Sequence, residues 1–370
     1  MTQQQPPTGP IVLAAGGTGG HLFPAEALAR ALRARGHAVV LVTDTRGHAF
    51  GEGLADIPVH RVSAGTPGRG LASKARTALS LLAGAMQARR ILKTLKPAVV
   101  VGFGGYPSVP TVFAAQRLGL PVVLHEQNAV MGRANKLLAG GARLIATSFP
   151  QVSGLPRHVA TVRTGNPVRP AILDLAGRPY TAPTSTLSIL VTGGSQGASV
   201  FSTILPAAVA RLSPEHRLRL SIKQQARPET MEQAREGYAG LGVDVELAPF
   251  FRDMAGRLDA CHVAICRSGA GTVAELAVAG RPAILVPYPQ AMDDHQTANA
   301  KSLVEAGGAW LMPHAQFTAE ALADRLAAFL DDPAPLALAA AGARSFAIPD
   351  AAERLADAVL ETAQNRRAAA

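Results

Sequence analysis

The sequence lacks the features that several classes of protein require. Its 370 residues include only two cysteines, Cys261 and Cys266, which excludes a disulfide scaffold and suits a reducing compartment, so we expect both thiols in the core. No stretch reaches the roughly 18–20 apolar residues that span a bilayer. The polar segment 1–10 places no basic residue before the apolar run that follows, which argues against a signal peptide. The chain is therefore predicted to be cytosolic or to bind a membrane peripherally.

Acidic residues are scarce in the first half of the chain. Residues 1–165 contain 18 Lys and Arg but only 5 Asp and Glu, a net charge of +13, whereas the remaining residues carry −3 of the total of +10. This asymmetry predicts an anionic partner for the first half alone. Aromatic residues, on which nucleic-acid binders stack bases, make up only 4% of the chain. An anionic membrane surface or a phosphate-bearing lipid fits the charge at least as well as nucleic acid, and we predict no nucleic-acid partner.

Short apolar runs alternate with helical patterns along both halves. The runs that predict buried strands are Ile11–Ala15, Val39–Thr43, Val99–Gly102, Val122–His125, Leu144–Thr147, Leu187–Thr192, Leu218–Lys223, Val243–Ala248, Val263–Cys266 and Ala283–Pro287. Helices are predicted over Ala25–Arg35, which Gly36 ends, and over about 198–212. Buried strands separated by helices are typical of parallel, doubly wound sheets. We therefore predict an α/β protein with two Rossmann-like domains facing a cleft, in which ligands bind at the carboxyl ends of the strands.

Composition indicates where the domains end. We place the first domain at 1–168 and the second at 187–346. The intervening segment 169–186 is rich in Pro, Thr and Ser and is predicted to be a linker. The last segment, 347–370, contains the predicted helix Ala351–Gln364, and a helix in this position can cross back to the first domain.

Three glycine-rich turns follow predicted strands. The first runs from Ala15 to His21, the second from Gly193 to Gly197, and the third from Arg267 to Glu275. Glycines let backbone N–H groups approach a ligand, and a helix N-terminus favours negative charge. Leu22 stands where the third glycine of a dinucleotide fingerprint would be, and no Gly-Lys-Ser/Thr sequence is present in these turns. The pair of turns in different domains predicts a phosphate-bearing ligand, one turn for a donor diphosphate and the other for an acceptor diphosphate.

The third turn adds a carboxylate in the first turn of the following helix. Glu275 can accept hydrogen bonds from both hydroxyls of a ribose, as the acidic residue of dinucleotide sites does. The alternative is that its charge only complements the helix dipole.

Five sequence blocks together resemble one family of enzymes. The blocks are Gly16-Gly17-Thr18-Gly19-Gly20-His21, His125-Glu126-Gln127-Asn128, Thr164-Gly165-Asn166-Pro167-Val168-Arg169, Gly193-Gly194-Ser195-Gln196-Gly197 and Arg267-Ser268-Gly269-Ala270. They occur in order over nearly the whole chain. The sequence is similar to the MurG-type transferases, which add N-acetylglucosamine to undecaprenyl-pyrophosphoryl-muramyl-pentapeptide in peptidoglycan synthesis.

The resemblance implies the glycosyltransferase-B fold and both substrates. UDP-N-acetylglucosamine is the implied donor, held mostly by the second domain. The implied acceptor is the lipid-linked muramyl-pentapeptide, approached through the first domain at the cytoplasmic face of the cell membrane. The implied substrate contacts are Thr18, Gly19, Gly20, Asn128, Arg169, Ser195, Phe251, Ala270, Gly271, Thr272, Val273, Ala274, Glu275, Gln296 and Asn299. Among them, Asn128 would bind the transferred sugar, Gln296 the sugar hydroxyls and Glu275 the ribose, while Phe251 would contact the uracil through its backbone.

Enzymes of this kind are inverting, which implies one in-line displacement at the anomeric carbon. The acceptor hydroxyl must lose a proton, and we expect His21 to take it because an ordinary histidine pKa of about 6.5 lies near working pH. Alternatively His21 caps the turn or binds acceptor phosphate, and His125 or Glu126 supplies or orients the base. Backbone N–H groups, helped by Arg169 or Arg267, are expected to stabilise the leaving diphosphate. We predict no metal and no cofactor, because the sequence has no Asp-x-Asp motif at a strand end.

The segment 69–96 combines cations with an apolar stripe. It holds seven Lys and Arg and no acidic residue, and Leu79, Leu82 and Met86 recur at helical spacing. Such a helix can rest on anionic lipid, or it can be an ordinary helix with a solvated basic face. Three other functions stay open: a transferase for another lipid acceptor, a UDP-sugar epimerase of the same architecture, and a basic nucleic-acid-binding or scaffold protein.

Overall fold

A computed structural model describes residues 9–16, 19–44, 55–65, 70–194 and 199–364 of the chain. The chain divides into two compact units, the first made of Met1–Arg169 and Asp350–Ala370 and the second of Pro170–Pro349. Within the described ranges, no single helix has both the length and the apolar composition to cross a bilayer, whereas one pair bent by 100°, Ala319–Asp331 with Ala334–Gln364, meets that test by length and composition alone.

The first unit is built on a parallel sheet of seven strands. The strands are β1 (Ile11–Ala14), β2 (Val39–Asp44), β3 (Val59–Val62), β4 (Val99–Gly102), β5 (Val122–Glu126), β6 (Leu144–Thr147) and β7 (Ala160–Arg163), in the order β3-β2-β1-β4-β5-β6-β7. The helices of Met1–Arg169 are α1 (Gly19–Ala34), α2 (Leu71–Leu95), α3 (Val109–Arg117) and α4 (Arg133–Leu138). Because β1 and β4 are covered on both faces, all eight of their residues are buried.

The second unit has a parallel sheet of six strands in the order β10-β9-β8-β11-β12-β13. Its elements are α5 (Pro170–Leu173), β8 (Leu187–Thr192), α6 (Ser199–Arg211), α7 (Pro214–Leu218), β9 (Leu220–Gln225), α8 (Met231–Tyr238), β10 (Asp244–Ala248), α9 (Met254–Ala260), β11 (Val263–Cys266), α10 (Ala270–Ala279), β12 (Ala283–Leu285), α11 (His295–Glu305), β13 (Ala309–Leu311), α12 (Ala319–Asp331) and α13 (Ala334–Phe346). Cys261 and Cys266 are buried in this unit, as the sequence predicts, and burial raises the pKa of each thiol to about 12.

The C-terminal helix α14 (Ala351–Gln364) packs on the first unit. Leu355 and Val359 enter the same apolar cluster as Leu28 and Leu32 of α1. At the edge of this contact, Arg35 forms ion pairs with Glu353 and Asp357. The segment predicted as a linker lies against the second unit, where Ile172 and Leu175 are buried.

Both sheets reverse their strand order at one point, and this determines which loops can form a site. In the first sheet the reversal lies between β1 and β4, and in the second between β8 and β11. Ligands of open α/β sheets bind outside the carboxyl ends of the strands at such a point. The glycine-rich turns after β1, β8 and β11 all begin there.

The structure corrects several local predictions. Strands β3, β7 and β13 were not predicted. They lie at sheet edges; β3 and β7 mix apolar with polar residues, and β13 is only three residues long. All four residues of β7 are exposed. Helix α1 begins at Gly19 rather than Ala25, so Pro24 lies inside it and leaves the carbonyl of Gly20 without its usual N–H donor. Strand β9 begins at Leu220 because the preceding helix α7 continues to Leu218.

Candidate functional site

The candidate site of the first unit forms where β1, β4 and β5 end. His125 is the fourth residue of β5 and is completely buried. Its Nε2 lies 3.1 Å from the carbonyl oxygen of Gly165, and its ring is tilted against Phe103 at a centroid distance of 5.5 Å. Burial, and secondarily the charge of His21, lowers the pKa of His125 to about 4, although the hydrogen bond to Gly165 opposes the shift. A buried imidazole that is neutral above this pH is suited to positioning other groups.

Glu126 ends β5 and organises the loop that follows. Its Oε1 accepts a hydrogen bond from the backbone N–H of Asn128 at 3.0 Å. Its Oε2 accepts from the backbone N–H of Gly132 at 2.9 Å and from Asn135 Nδ2 at 2.8 Å. Since the carboxylate is 1% exposed and bound by these donors, the geometry favours a structural role that holds Asn128 in place over proton abstraction.

His21 lies in the first turns of α1 and contacts this group through Gln127. Its Nδ1 is 3.2 Å from Gln127 Oε1. Gly104 and Gly105, just after β4, have positive φ angles of 80° and 70°. A Cβ atom at Gly105 would lie 3.3 Å from His21 Nε2 and 3.2 Å from its Cδ2, so glycine leaves room for the ring. Of the three candidate bases, His21 alone is partly exposed.

Five further residues of the first unit were predicted to contact substrate. Gly19 and Gly20 open α1, Asn128 is partly exposed, and Arg169 stacks on the ring of Phe23 at 5.4 Å. Thr18 lies outside the described residues.

In the second unit, the third glycine-rich turn becomes the N-terminus of α10. Gly269 is the N-cap, and no side chain caps the helix. A Cβ at Gly271 would meet nothing within 4 Å, so the backbone is open to a ligand at that point. Thr272, Ala274 and Glu275 are partly exposed.

Two residues of α10 that were predicted to contact the ligand, Val273 and Ala270, have buried side chains. The side chain of Val273 is completely buried and Ala270 is 8% exposed. A ligand can therefore meet these two residues only through the backbone, whereas Glu275 is partly exposed. Glu275 lies in the second turn of α10 rather than in the predicted first turn, because the helix begins at Ala270.

Arg267 follows β11 and is a buried cation. Its Nη1 donates to the carbonyl oxygens of Val286 and Pro287 at 3.0 and 2.9 Å, and its guanidinium lies 5.5 Å from the rings of Phe201 and Tyr288. Burial lowers the pKa of Arg267. Within the described ranges no carboxylate forms an ion pair with it, so an anionic ligand at this strand end would be strongly stabilised.

Gln296 and Asn299 lie on α11 and connect it to the turn after β11. Gln296 Oε1 accepts from the backbone N–H of Tyr288 at 2.9 Å, and its backbone carbonyl accepts from Ser268 Oγ at 2.8 Å. Asn299 is completely buried, and its Nδ2 donates to the Ser268 carbonyl at 3.1 Å. Gln296 thus remains a candidate ligand contact, while the geometry of Asn299 favours support of the turn.

Phe250 and Phe251, which follow β10, differ in burial. Phe251 is 3% exposed and its ring lies 3.9 Å from the guanidinium of Arg257, whereas Phe250 is 60% exposed. The enclosed ring leaves only the backbone of Phe251 for the predicted uracil contact, which stays a prediction. Ser195 lies outside the described residues.

The sequence singled out no role for Gln127, Asn135 or Gly105. Gln127 belongs to a recognised block, and its position next to two candidate bases was the available signal. Asn135 gave no signal, because only the folding of α4 brings it to Glu126. Among the described residues, no three His, Cys, Asp or Glu side chains cluster as metal ligands do.

Comparison with known proteins gives consistent results across the chain. Residues 11–147 match the glycosyltransferase family 28 N-terminal domain, and residues 188–355 match the family 28 C-terminal domain. A protein of Rhodospirillum centenum named UDP-N-acetylglucosamine--N-acetylmuramyl-(pentapeptide) pyrophosphoryl-undecaprenol N-acetylglucosamine transferase is 65% identical over 96% of this chain and 94% of its own length. A protein of the same name from Rhodospirillum rubrum is 54% identical over 96% and 92%. The crystal structure of Acinetobacter baumannii MurG is 35% identical, with a TM-score of 0.75 over 95% of this chain and 99% of that one.

Proposed function

Since the chain belongs to glycosyltransferase family 28, we propose that it transfers N-acetylglucosamine from UDP-N-acetylglucosamine to undecaprenyl-pyrophosphoryl-N-acetylmuramyl-pentapeptide, the lipid I to lipid II step of peptidoglycan synthesis. The observation that carries the proposal is the 65% identity to a relative of that name over 96% of the chain. The distribution of chemical groups over the two units supports it.

The second unit supplies what a nucleoside diphosphate sugar needs. The open N-terminus of α10 presents backbone N–H groups, and Arg267 adds a cation that has no carboxylate partner among the described residues. Glu275, in the second turn of α10, offers a carboxylate for ribose hydroxyls. These groups would bind the diphosphate in the ground state and stabilise its additional charge as it leaves.

The first unit supplies the proton acceptor. In the proposed reaction the acceptor oxygen forms a bond to the anomeric carbon, the bond from that carbon to the donor phosphate breaks, and His21 takes the hydroxyl proton. Inversion follows from a single in-line displacement. His125 acts on His21 through Gln127, and Glu126 holds the loop that carries Asn128. No metal ion takes part in the proposed step.

An anionic membrane surface is the proposed setting. On α2 the side chains of Leu79, Leu82 and Met86 are 68%, 59% and 56% exposed and share one helix face. Exposed cations accompany them at Lys74, Arg76, Arg89, Arg90, Lys93 and Lys96. Each basic residue near an anionic surface contributes about 1 kcal/mol. We place the enzyme peripherally at the cytoplasmic face of the cell membrane.

The test is the transfer of labelled N-acetylglucosamine to a short-chain lipid-linked muramyl-pentapeptide, with and without chelator. We expect a labelled disaccharide product at equal rates in both. Conversion of the donor into an epimeric UDP-sugar in place of that product would favour the epimerase, and transfer only to a different lipid would favour the transferase for another lipid acceptor. Calorimetry with UDP-N-acetylglucosamine tests the scaffold alternative, because a scaffold should not bind it.

Substitution of His21 tests the proposed proton acceptor. His21→Ala should lower kcat about 10²–10⁴-fold at saturating acceptor, the usual contribution of a general base. Near-normal kcat would reject His21 as the base and leave the transferase assignment intact.

A further inference from the structure

Gln127 lies between the two histidines of the first unit and contacts both. Its Oε1 is 3.2 Å from His21 Nδ1, and its Nε2 is 3.0 Å from His125 Nδ1. The residue is 3% exposed, so its amide exchanges these contacts for water only at a cost. The neighbours of this one amide therefore decide which ring nitrogen of each histidine carries the proton.

Two backbone carbonyls determine the orientation of the Gln127 amide. Its Nε2 is 3.0 Å from the carbonyl oxygen of Phe103 and 3.2 Å from that of His125. Carbonyl oxygens only accept hydrogen bonds, so the NH₂ group must face them. The reversed amide would place Oε1 against two other oxygens, an unfavourable contact, and would leave the His125 carbonyl to its other donor, Asn135 Nδ2 at 3.2 Å.

The tautomer of His125 independently requires the same orientation of the Gln127 amide. Its Nε2 faces the Gly165 carbonyl at 3.1 Å and must therefore carry the proton. Complete burial keeps the ring neutral above a pKa of about 4, so its Nδ1 has a lone pair. That lone pair requires a donor, and the Gln127 NH₂ group is the donor 3.0 Å away.

With its NH₂ group so placed, Gln127 presents only an oxygen to His21. We propose that Gln127 is a positioning residue that holds His21 as the tautomer with a proton on Nδ1 and a lone pair on Nε2. The inference deepens the proposed function, since Nε2 is then the atom that accepts the proton of the sugar hydroxyl. The link from Gly165 through His125 and Gln127 to His21 makes this tautomer a property of the buried network.

The first experiment measures the tautomer directly by ¹⁵N NMR of histidine-labelled full-length protein, at a pH where His21 is neutral. His21 is assigned by the signal that His21→Asn removes. We expect the shifts of a pyrrole-like Nδ1 and a pyridine-like Nε2. In Gln127→Leu the ring should move towards the Nε2–H tautomer that imidazole side chains favour in water. A wild-type His21 protonated on Nε2, or one unchanged by Gln127→Leu, overturns the proposal.

The second experiment uses kcat and a matched pair of variants. Gln127→Leu should lower kcat roughly ten-fold or more, because general-base catalysis is worth about 10²–10⁴ in rate, with little change in KM for the donor. In Gln127→Glu, burial favours the neutral carboxyl, whose O–H can replace one donor of the NH₂ group while the other oxygen still faces His21. This variant should retain Nδ1–H on His21 and more of kcat than Gln127→Leu. Equal losses of kcat in both, with unchanged tautomers, would indicate a structural role and overturn the proposal.

Gln116→Leu is the control for the substitution itself. Gln116 also donates to a backbone carbonyl, that of Leu138 at 2.6 Å, but is remote from both histidines in the hydrogen-bond network. The Gln116→Leu variant should therefore have the same His21 tautomer and the same kcat as the wild type. If His21→Ala retained kcat while the NMR result held, the proposed base would fail and the positioning by Gln127 would stand.

Discussion

His125 Nε2 and the carbonyl oxygen of Gly165 lie 3.1 Å apart in the buried interior of the first unit. The bond connects the end of β5 to the segment after β7, 40 residues later in the chain. It also fixes the proton of the ring on Nε2, and through Gln127 it reaches His21.

The burial of His125 predicts a loss of stability in acid. Its folded pKa of about 4 is below the ordinary value of 6.5, so below pH 6.5 the unfolded chain binds the proton more tightly. The protein loses no stability from this group above about pH 6.5, and the loss grows as the pH falls, reaching about 3 kcal/mol at pH 4. Urea unfolding of the full chain at several pH values measures it. In His125→Phe the unfolding free energy should depend less on pH, and equal slopes would contradict the prediction.

Alanine substitutions at Gly105 and Gly119 separate the effect of crowding His21 from the effect of backbone strain. Both have positive φ, 70° and 66°, but an added Cβ crowds the His21 ring only at Gly105 and meets nothing within 4 Å at Gly119. Alanine at either site should destabilise the protein by about 1 kcal/mol. Only Gly105→Ala should lower kcat in the transfer assay. Similar kcat values for the two variants would show that His21 tolerates displacement.

Arg267 predicts a specific effect on donor binding. Loss of a charge-assisted hydrogen bond costs about 1.5–3 kcal/mol, so Arg267→Gln should raise KM for UDP-N-acetylglucosamine about 10- to 100-fold. Arg281 is the control, since it is also buried but is paired with Asp259 at 3.0 Å. Arg281→Gln should lower the unfolding free energy without raising that KM. A normal KM in Arg267→Gln would remove Arg267 from the donor site.

The exposed face of α2 predicts binding to anionic vesicles. Replacing Leu79, Leu82 and Met86 by Ser should lower the partition coefficient at least about ten-fold, because burying each side chain in lipid contributes on the order of 1 kcal/mol or more. Leu218 and Leu338, each 74% exposed on the second unit, provide the control substitutions. Co-sedimentation at low salt measures the effect. Equal binding of the wild type to neutral vesicles, or no effect of the triple substitution, would exclude this surface.

Local sequence sufficed for the central strands. β1, β4, β8 and β11 are predominantly apolar runs with a glycine at or within three residues of their ends, and each forms where predicted to within a residue or so. Strands β3, β7 and β13 depend on pairing with a neighbour, which a single segment does not encode. For the same reason Val273, in a predicted binding turn, could not be recognised as a core residue before α10 was packed.

The sequence by itself determined the residue types of the candidate site, including a histidine after a glycine-rich turn and a His-Glu-Gln-Asn block at a strand end. The tertiary structure decided what those residues can do. His21 and Gln127 are separated by 106 positions, yet their contact defines which ring nitrogen carries the proton. Burial makes His125 and Glu126 supports for their neighbours, because a buried polar group must be paired with whatever partners the fold provides.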